Sequence, residues 1–366
     1  MTKYCISHHN LSCSLMSQMK LSSKFISKFW EYSSDNLPNQ ETLEKVRQHL
    51  SCIQRIAKNW VKNCEIRPYG SITNGFLSKD TSDFDLTCLF RNKLYKHPHL
   101  YSKNLRKMLD SEYGEGSWSY ICTPRLYLLT TQLEDGTEIE ITFNNITGLL
   151  NSEYVRTLAE IDSRFHKLGY FIKHFVNSRE IFDLKKKLNS FSLICMLIVF
   201  LQDQCNPPVL PRIIQKSSSI VKKEMVTASY TKSIGEQQEQ YLPEYAARVN
   251  TLDANFEFDH KEIQTFMSEE INQESVSQLF KRFIHFYFCG GGFDPVHDVV
   301  NTRTGRIEKI KANKKTLNPK IRVKLQDACI AVMDPFDMSY CPSANFELKS
   351  YRKGDSMIEK LIQFIH

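Results

Sequence analysis

Two aspartates, Asp83 and Asp85, interrupt an apolar run ending at Phe90 that has the composition of a buried strand. Residues i and i+2 of a strand project from one face, so the two carboxylates stand together while Phe84 points the other way. Neighbouring carboxylates repel each other, and burial raises that cost. A divalent cation relieves the repulsion, and Mg²⁺ prefers such oxygen ligands. The run therefore predicts a sheet with a metal site on one face.

Two further segments supply what such a site needs. The segment "TEIEITF" places Glu138 and Glu140 on one face of another strand, which offers a third carboxylate. The segment "EIRPYGS" ends in Gly70 and Ser71, where glycine lets the backbone approach a triphosphate and serine offers a hydroxyl. A lone carboxylate pair is most often a solvated strand edge, and a lone Gly-Ser pair is most often a turn. Together, in this order, they predict a nucleotide site with two metal ions.

The remaining pattern predicts a mixed α/β part followed by a mostly helical part. In the first part, strands are predicted at "EIRPY", "FDLTCLF", "WSYICT", "RLYLLTTQL" and "TEIEITFN", with helices over 14–34, 39–62 and 99–114. In the second part, helices are predicted over 154–178 (one or two), 189–203, 275–288 and 355–366, with a short strand at "DACIAVMDP". Residues 212–258 are polar and predict a long loop.

Composition narrows the cellular setting. The chain is 41% hydrophobic and 24% charged, as globular proteins are, and its net charge of +7 suits an acidic partner such as nucleic acid. Its 11 cysteines include no Cys-X-X-Cys pair and no zinc-site spacing, which favours reduced thiols. The most apolar run, Phe191 to Leu201, is too short to cross a bilayer, and the first residues lack a secretory pattern. We therefore expect a cytoplasmic or nuclear protein without a membrane partner.

These motifs and several later ones resemble the RNA terminal nucleotidyltransferases of the DNA-polymerase-β superfamily, which comprise cytoplasmic poly(A) polymerases and terminal uridylyltransferases. The resemblance covers "GS…DFD", "EITFNN", "FIKHF", "NSFSLICMLIVFLQ", "NPPVLP" and "DPFDMS", in order from about residue 40 to 350. It implies an α+β fold, with the active site in a cleft between two domains. The catalytic domain would span 40–150, with a mixed sheet and flanking helices. A helical central, poly(A)-polymerase-associated domain would span 151–366, with the helical segment 1–39 packed on it.

The resemblance also implies the residues of the site. Asp83, Asp85 and Glu140 would be the catalytic carboxylates and would bind two Mg²⁺ or Mn²⁺ ions, although the family usually has Asp at the third position. Gly70 and Ser71 would hold the triphosphate. The remaining nucleotide contacts would come from Asn151 (ribose 2′-hydroxyl), Lys173 (β/γ-phosphates), Ser190 (phosphate or base), Phe191 (base stacking), and Asp334 and Asp337 (base edge).

Three of these positions also have purely structural interpretations. Asn151 could cap a helix that begins at "NSEY", because asparagine is a good N-cap residue. Phe191 begins a very apolar helix and could be core packing. Lys173 could be a solvated helix lysine.

The implied reaction is template-independent addition of nucleotides to an RNA 3′ end, with release of pyrophosphate. UTP is favoured over ATP because uracil N3–H is a donor that suits the carboxylate of Asp337. Tyr340, however, stands where uridylyltransferases often have a histidine, so a poly(A) polymerase remains an alternative. Two other classes also remain open: a catalytically weak or dead RNA-binding scaffold, and a cousin that makes oligoadenylates or cyclic dinucleotides. Because no separate RNA-recognition module is visible, target choice could require an RNA-binding partner protein.

Overall fold

A computed structural model describes residues 37–60, 64–79, 83–90, 98–123, 126–178, 188–216, 256–258, 263–266, 271–288, 291–310, 330–337 and 340–344. The predicted helices over 14–34 and 355–366, and segment 1–39 up to residue 36, lie outside these residues. The described residues divide into two compact units: the first comprises 37–159 together with 215–216 and 256–257, and the second comprises 160–214 and the described residues from 258 onward. The predicted domain limits, and the predicted cleft between the domains, stay predictions.

The first unit is a five-stranded sheet with helices against it. Its strands stand in the order β1-β2-β5-β4-β3. The β2–β5 pair is parallel, whereas β1–β2, β3–β4 and β4–β5 are antiparallel, so the predicted mixed sheet is confirmed. The elements are α1 (Gln40–Trp60), β1 (Cys64–Pro68), α2 (Ser71–Asn74), β2 (Asp83–Phe90), α3 (Pro98–Tyr113), β3 (Ser119–Thr123), β4 (Leu126–Gln132), β5 (Glu138–Phe143) and α4 (Ile146–Ile161).

Alternation along β2 and β5 separates the core face of the sheet from its polar face. Phe84, Leu86, Ile139 and Ile141 are all buried, and they pack in one cluster with apolar residues of α1 and α3. The alternate positions carry the acidic side chains. This arrangement confirms the prediction that Asp83 and Asp85 share the face opposite Phe84.

Helix α1 forms because its apolar residues recur at helical spacing and its first turn is capped. Val46, Ile53 and Ile56 are buried on one face of it. At its start the Asn39 side chain accepts a hydrogen bond from the amide of Thr42 at 2.8 Å. The helix closes one side of the sheet that carries the acidic strands.

The second unit is mostly helical and carries a small three-stranded sheet in the order β10-β8-β9. Helix α6 is buried along almost its whole length, which matches its continuous apolar sequence. No helix in the described part of the chain is both long and apolar enough for a membrane span. The elements are α5 (Ser163–Ser178), α6 (Ser190–Asp203), α7 (Val276–Phe288), β8 (Asp298–Asn301), β9 (Arg306–Lys309) and β10 (Ala331–Met333). A separate two-stranded sheet consists of β6 (Ile214–Lys216) and β7 (Phe256–Phe258).

Two local features refine the predictions. The segment 154–178, predicted as one or two helices, contains two, because the helix is interrupted at Asp162. There the Asp162 carboxylate accepts hydrogen bonds from the amide and guanidinium of Arg164, which start α5. The hairpin of β8 and β9 was not predicted, because its strands are only four residues each and show no clear alternation.

Candidate active site

Four carboxylates stand on one face of the sheet where β2 and β5 run side by side. The parallel register places Asp83 beside Glu138 and Asp85 beside Glu140. Paired residues of adjacent strands point to the same side of a sheet. The structure therefore places the three predicted carboxylates on one face of the sheet and adds Glu138 as a neighbour of Asp83.

The electrostatics of this face favour a cation. Burial, followed by the charges of Glu138 and Asp83, raises the pKa of the Glu140 carboxyl above its usual range. Mutual repulsion of this kind is reduced when a divalent ion binds. Burial and these neighbouring charges therefore disfavour the ionised form of Glu140.

The oxygen ligands on this face are of the type that Mg²⁺ prefers, but the side chains are not close enough together to form a metal site. In the part of the chain that the structure describes, no three carboxylate, imidazole or thiol side chains stand close enough to hold a metal ion. The carboxylates of Asp83, Asp85 and Glu140 are nonetheless hard oxygen donors on neighbouring strands of one face. They fit Mg²⁺ by ligand type and by the repulsion that the ion would relieve.

A glycine turn lies directly against the Asp85 carboxylate. Gly70 has φ 68° and ψ −144°, a conformation that side chains disfavour. A Cβ added to Gly70 would stand 2.2 Å from Asp85 Oδ2, so only glycine fits there. The neighbouring amide of Tyr69 donates to the Asp85 carbonyl at 3.0 Å, which fixes the strand beside the turn. The predicted pairing of the Gly70–Ser71 turn with the acidic strand is thus a direct contact.

Tyr69 is a residue of this site that the sequence analysis missed. Its ring packs on Gly148, and its hydroxyl accepts a hydrogen bond from Thr142 Oγ1 at 3.4 Å. Burial and the nearby Asp85 charge raise the pKa of the Tyr69 hydroxyl, so the side chain stays neutral. Its position directly before Gly70, in "PYG", was the feature of the sequence that could have indicated it.

Asn151 lies in the interior of α4, partly buried, five residues after the helix begins at Ile146. The alternative that it caps this helix is therefore wrong. The cap is Asn145, whose side-chain oxygen accepts from the amide of Gly148 at 3.0 Å. The proposed ribose contact of Asn151 stays a prediction.

Three predicted nucleotide-binding residues lie on the helices of the second unit. Lys173 is partly buried on α5. Ser190 is the first residue of α6, and the side chain of Asn189 caps that helix by accepting from the Ser192 amide at 2.7 Å. Phe191 is only partly buried, whereas residues 192–202 of the same helix are fully buried. Its side chain therefore stands at the edge of the apolar core, and its predicted stacking on the base stays a prediction.

The segment predicted to face the base edge is a tight loop after β10. The Asp334 carboxylate accepts hydrogen bonds from the amides of Phe336 and Asp337, at 2.9 and 2.8 Å, and both aspartates are buried. Tyr340 is 39% exposed, and its amide donates to the Asp337 carbonyl at 2.9 Å. Of these three residues, Tyr340 is the one whose side chain reaches solvent.

The chain is similar in sequence to known RNA polymerases and transferases. The family model described as "Poly(A) RNA polymerase, mitochondrial-like, central palm domain" matches residues 25–160. The poly(A) RNA polymerase cid11 of Schizosaccharomyces pombe is 23% identical over 76% of this chain and 51% of its own length. Human terminal uridylyltransferase 7 is 25% identical over 88% of this chain and 20% of its own length. The chain thus spans about half of the first relative and a fifth of the second.

Solved structures share the fold. A crystal structure of the Cid1 poly(U) polymerase superposes with a TM-score of 0.69 at 17% identity, covering 93% of this chain and 94% of that one. A structure described as a cytoplasmic RNA terminal U-transferase superposes with a TM-score of 0.67 at 17% identity, covering 94% and 93%.

The fold is therefore that of the polymerase-β-like nucleotidyltransferases. Residues 25–160 match the palm-domain model of a poly(A) RNA polymerase, and the chain is similar in sequence to poly(A) RNA polymerases and terminal uridylyltransferases.

Metal binding to this face should change the free energy of unfolding. Because Mg²⁺ would bind only the folded protein, we expect saturating Mg²⁺ to stabilise the wild type, by about 2.7 kcal/mol at a hundredfold excess over Kd. Glu140→Gln should lose most of that gain. The raised pKa of Glu140 also predicts that metal-free wild type loses stability as pH rises through and above the ordinary glutamate range, and that Glu140→Gln removes this loss.

Thermal denaturation with and without Mg²⁺ measures both effects. Glu115→Gln is the matched control, because Glu115 lies exposed in a turn of the same unit. An equal Mg²⁺ shift in Glu140→Gln and wild type would exclude Glu140 as a ligand.

Proposed function

We propose that this chain adds ribonucleotides to RNA 3′ ends without a template, with UTP preferred over ATP. The observation that carries the proposal is the register of β2 and β5, which sets Asp83 and Asp85 beside Glu138 and Glu140, together with the contact of Asp85 with Gly70. The similar proteins, which are named poly(A) RNA polymerases and terminal uridylyltransferases, support the same reaction class.

The reaction balances as a displacement at phosphorus. The RNA 3′-hydroxyl oxygen forms a bond to the α-phosphorus of the nucleotide, the bond from that phosphorus to the bridging oxygen breaks, and pyrophosphate leaves. The hydroxyl proton is lost to solvent. Little covalent chemistry falls to the protein, which acts by positioning and by charge.

The residues of the first unit take distinct parts in this proposal. Asp83, Asp85 and Glu140 would hold Mg²⁺, and two ions or Mn²⁺ are part of the proposal. The positive charge held by these carboxylates would stabilise the leaving pyrophosphate and favour loss of the proton from the attacking hydroxyl. Gly70 brings the backbone close to the triphosphate because it has no side chain.

The residues of the second unit keep their predicted nucleotide roles as part of the proposal. Lys173 would pair with phosphates, Ser190 would contact phosphate or base, and Phe191 would stack on the base, while Asn151 of the first unit would contact the ribose. The partial exposure of Phe191 supports a ligand contact. Asp334 and Asp337 would face the base edge, and Tyr340, whose side chain reaches solvent beside them, would also contact the nucleotide.

The preference for UTP rests on relatives and on the acidic loop. Human terminal uridylyltransferase 7 and terminal uridylyltransferase 4 are among the relatives. Solved structures of Cid1 are described as revealing that enzyme's mechanism for UTP selectivity. We also propose that the protein is cytoplasmic and that a separate RNA-binding partner protein selects its RNA targets.

The test is incubation of a short end-labelled RNA with each of the four nucleotides separately, in Mg²⁺ and in Mn²⁺. We expect a ladder with UTP and a weaker one with ATP. A ladder with ATP alone would make the chain a poly(A) polymerase. No ladder with any nucleotide would support the scaffold interpretation, which the Glu at position 140 favours because its side chain is one methylene longer than the usual Asp.

A further inference from the structure

The hydroxyl of Ser152 connects the glycine turn to helix α4. The Gly70 amide donates to Ser152 Oγ at 2.7 Å, and Ser152 Oγ in turn donates to the Gly148 carbonyl at 2.7 Å. The side chain is 6% exposed, so water has little access to replace either bond. One hydroxyl therefore accepts and donates at once, and it joins two segments that lie 82 residues apart.

This connection acts on a residue in an uncommon backbone conformation, and it is the hydrogen bond that the Gly70 amide makes. The φ and ψ of Gly70 lie outside the common regions, and its Cα lies against the Asp85 carboxylate. Without a partner, the Gly70 amide would be a partly buried donor left unsatisfied. A bond from outside the turn therefore stabilises a conformation that the turn alone does not favour.

The same helix is also fitted closely to the residue before the turn. Gly148 contacts the Tyr69 ring so closely that an added Cβ would stand 2.9 Å from it. The Ser152 hydroxyl and the Gly148 backbone thus hold Gly70 and Tyr69 from the same side.

We propose that Ser152 is a positioning residue that fixes the Gly70–Ser71 turn in the conformation that receives the nucleotide triphosphate. It acts through Gly70, whose amide it engages, and it needs no contact with the nucleotide. This proposal rests on the proposed function for its effect on catalysis, but its structural content can be tested without any activity.

Amide hydrogen exchange tests the structural content directly. The sequence contains two Tyr-Gly pairs, Tyr69-Gly70 and Tyr113-Gly114. Protein labelled with ¹³C-carbonyl tyrosine and ¹⁵N glycine therefore gives two selected amide signals. The Gly114 amide, which donates to the Asp110 carbonyl at 2.9 Å, is an internal control. We expect Ser152→Ala to speed exchange at Gly70 by roughly tenfold or more and to leave Gly114 unchanged.

A matched variant separates the tether from a general effect on helix α4. Thr157 donates its hydroxyl to the Glu153 carbonyl at 2.9 Å, which is the same bond to residue i−4, but on an exposed face. Thr157→Ala should leave Gly70 exchange unchanged. Equal exchange at Gly70 in wild type and Ser152→Ala, or equal acceleration in Ser152→Ala and Thr157→Ala, would overturn the proposal.

Kinetics then test the consequence for the reaction. We expect Ser152→Ala to raise KM for the nucleotide by roughly tenfold and to leave KM for RNA unchanged, because the turn is assigned to the triphosphate. Ser152→Thr, which keeps the hydroxyl, should remain near wild type, whereas Ser152→Cys, which keeps the volume, should resemble Ser152→Ala. Equal rises in both KM values, or wild-type kinetics in Ser152→Ala, would contradict the role. If wild type extends no RNA, the proposed function fails, and the exchange experiment still decides whether Ser152 holds the turn.

Discussion

Asp85→Ala should lower RNA extension by about 10³-fold or more. The substitution removes one of the three carboxylates that would hold the catalytic metal ion. Asp85 is paired with Glu140 across β2 and β5, and it also contacts Gly70. It therefore lies between the proposed metal ligands and the turn that is proposed to bind the triphosphate. Removing a repelling carboxylate should leave the metal-free fold intact. The measurement is single-turnover extension of labelled RNA, with thermal denaturation to confirm folding.

Glu115→Gln is the control for loss of a negative charge in the same unit, because Glu115 is exposed in the turn between α3 and β3. It should extend RNA at the wild-type rate. Extension by Asp85→Ala within tenfold of wild type would mean that the chemistry takes place elsewhere.

Gly70→Ala should lower kcat/KM by roughly 10²-fold or more while costing about 1–2 kcal/mol of stability. The added methyl would stand 2.2 Å from Asp85 Oδ2 and would force the carboxylate or the turn to move. The positive φ of 68° adds backbone strain that alanine tolerates poorly. Both effects act on the same pair of groups.

Gly136→Ala separates the strain from the clash. Gly136 has φ 82° in the hairpin between β4 and β5, and an added Cβ would meet nothing within 4 Å. It should carry the backbone strain without the clash, and so lose less stability than Gly70→Ala and keep its activity. Equal loss of activity in both variants would show that backbone strain, and not contact with Asp85, explains the effect of Gly70→Ala.

The acidic face was predictable from the sequence because strand alternation is local. "FDLTCLF" and "TEIEITF" each assign their side chains to two faces with no knowledge of the fold. The register that sets Asp83 beside Glu138 was not predictable, because parallel strands pair through a crossover whose geometry the local pattern does not contain. The repulsion that raises the pKa of Glu140 follows from that register.

The support of the glycine turn was hidden for the same reason. The sequence marks Gly70 and Ser71 as a turn, but the bond from the Gly70 amide to Ser152 joins residues far apart in the chain. Asn151 shows the opposite failure. Its residue type favours a helix start, yet the helix begins at Ile146 because Asn145 provides the cap.

The stoichiometry of pyrophosphate release is the most direct test of the central claim, which is nucleotide transfer to an RNA 3′-hydroxyl. Wild-type protein, Mg²⁺ and UTP are incubated with an RNA that ends in a 3′-hydroxyl, with the same RNA ending in a 3′-deoxyribose, or with no RNA. The account predicts one pyrophosphate released per nucleotide added to the hydroxyl-ended RNA, and none in the other two reactions. Release without a usable 3′-hydroxyl, or RNA growth without matching pyrophosphate, would contradict it.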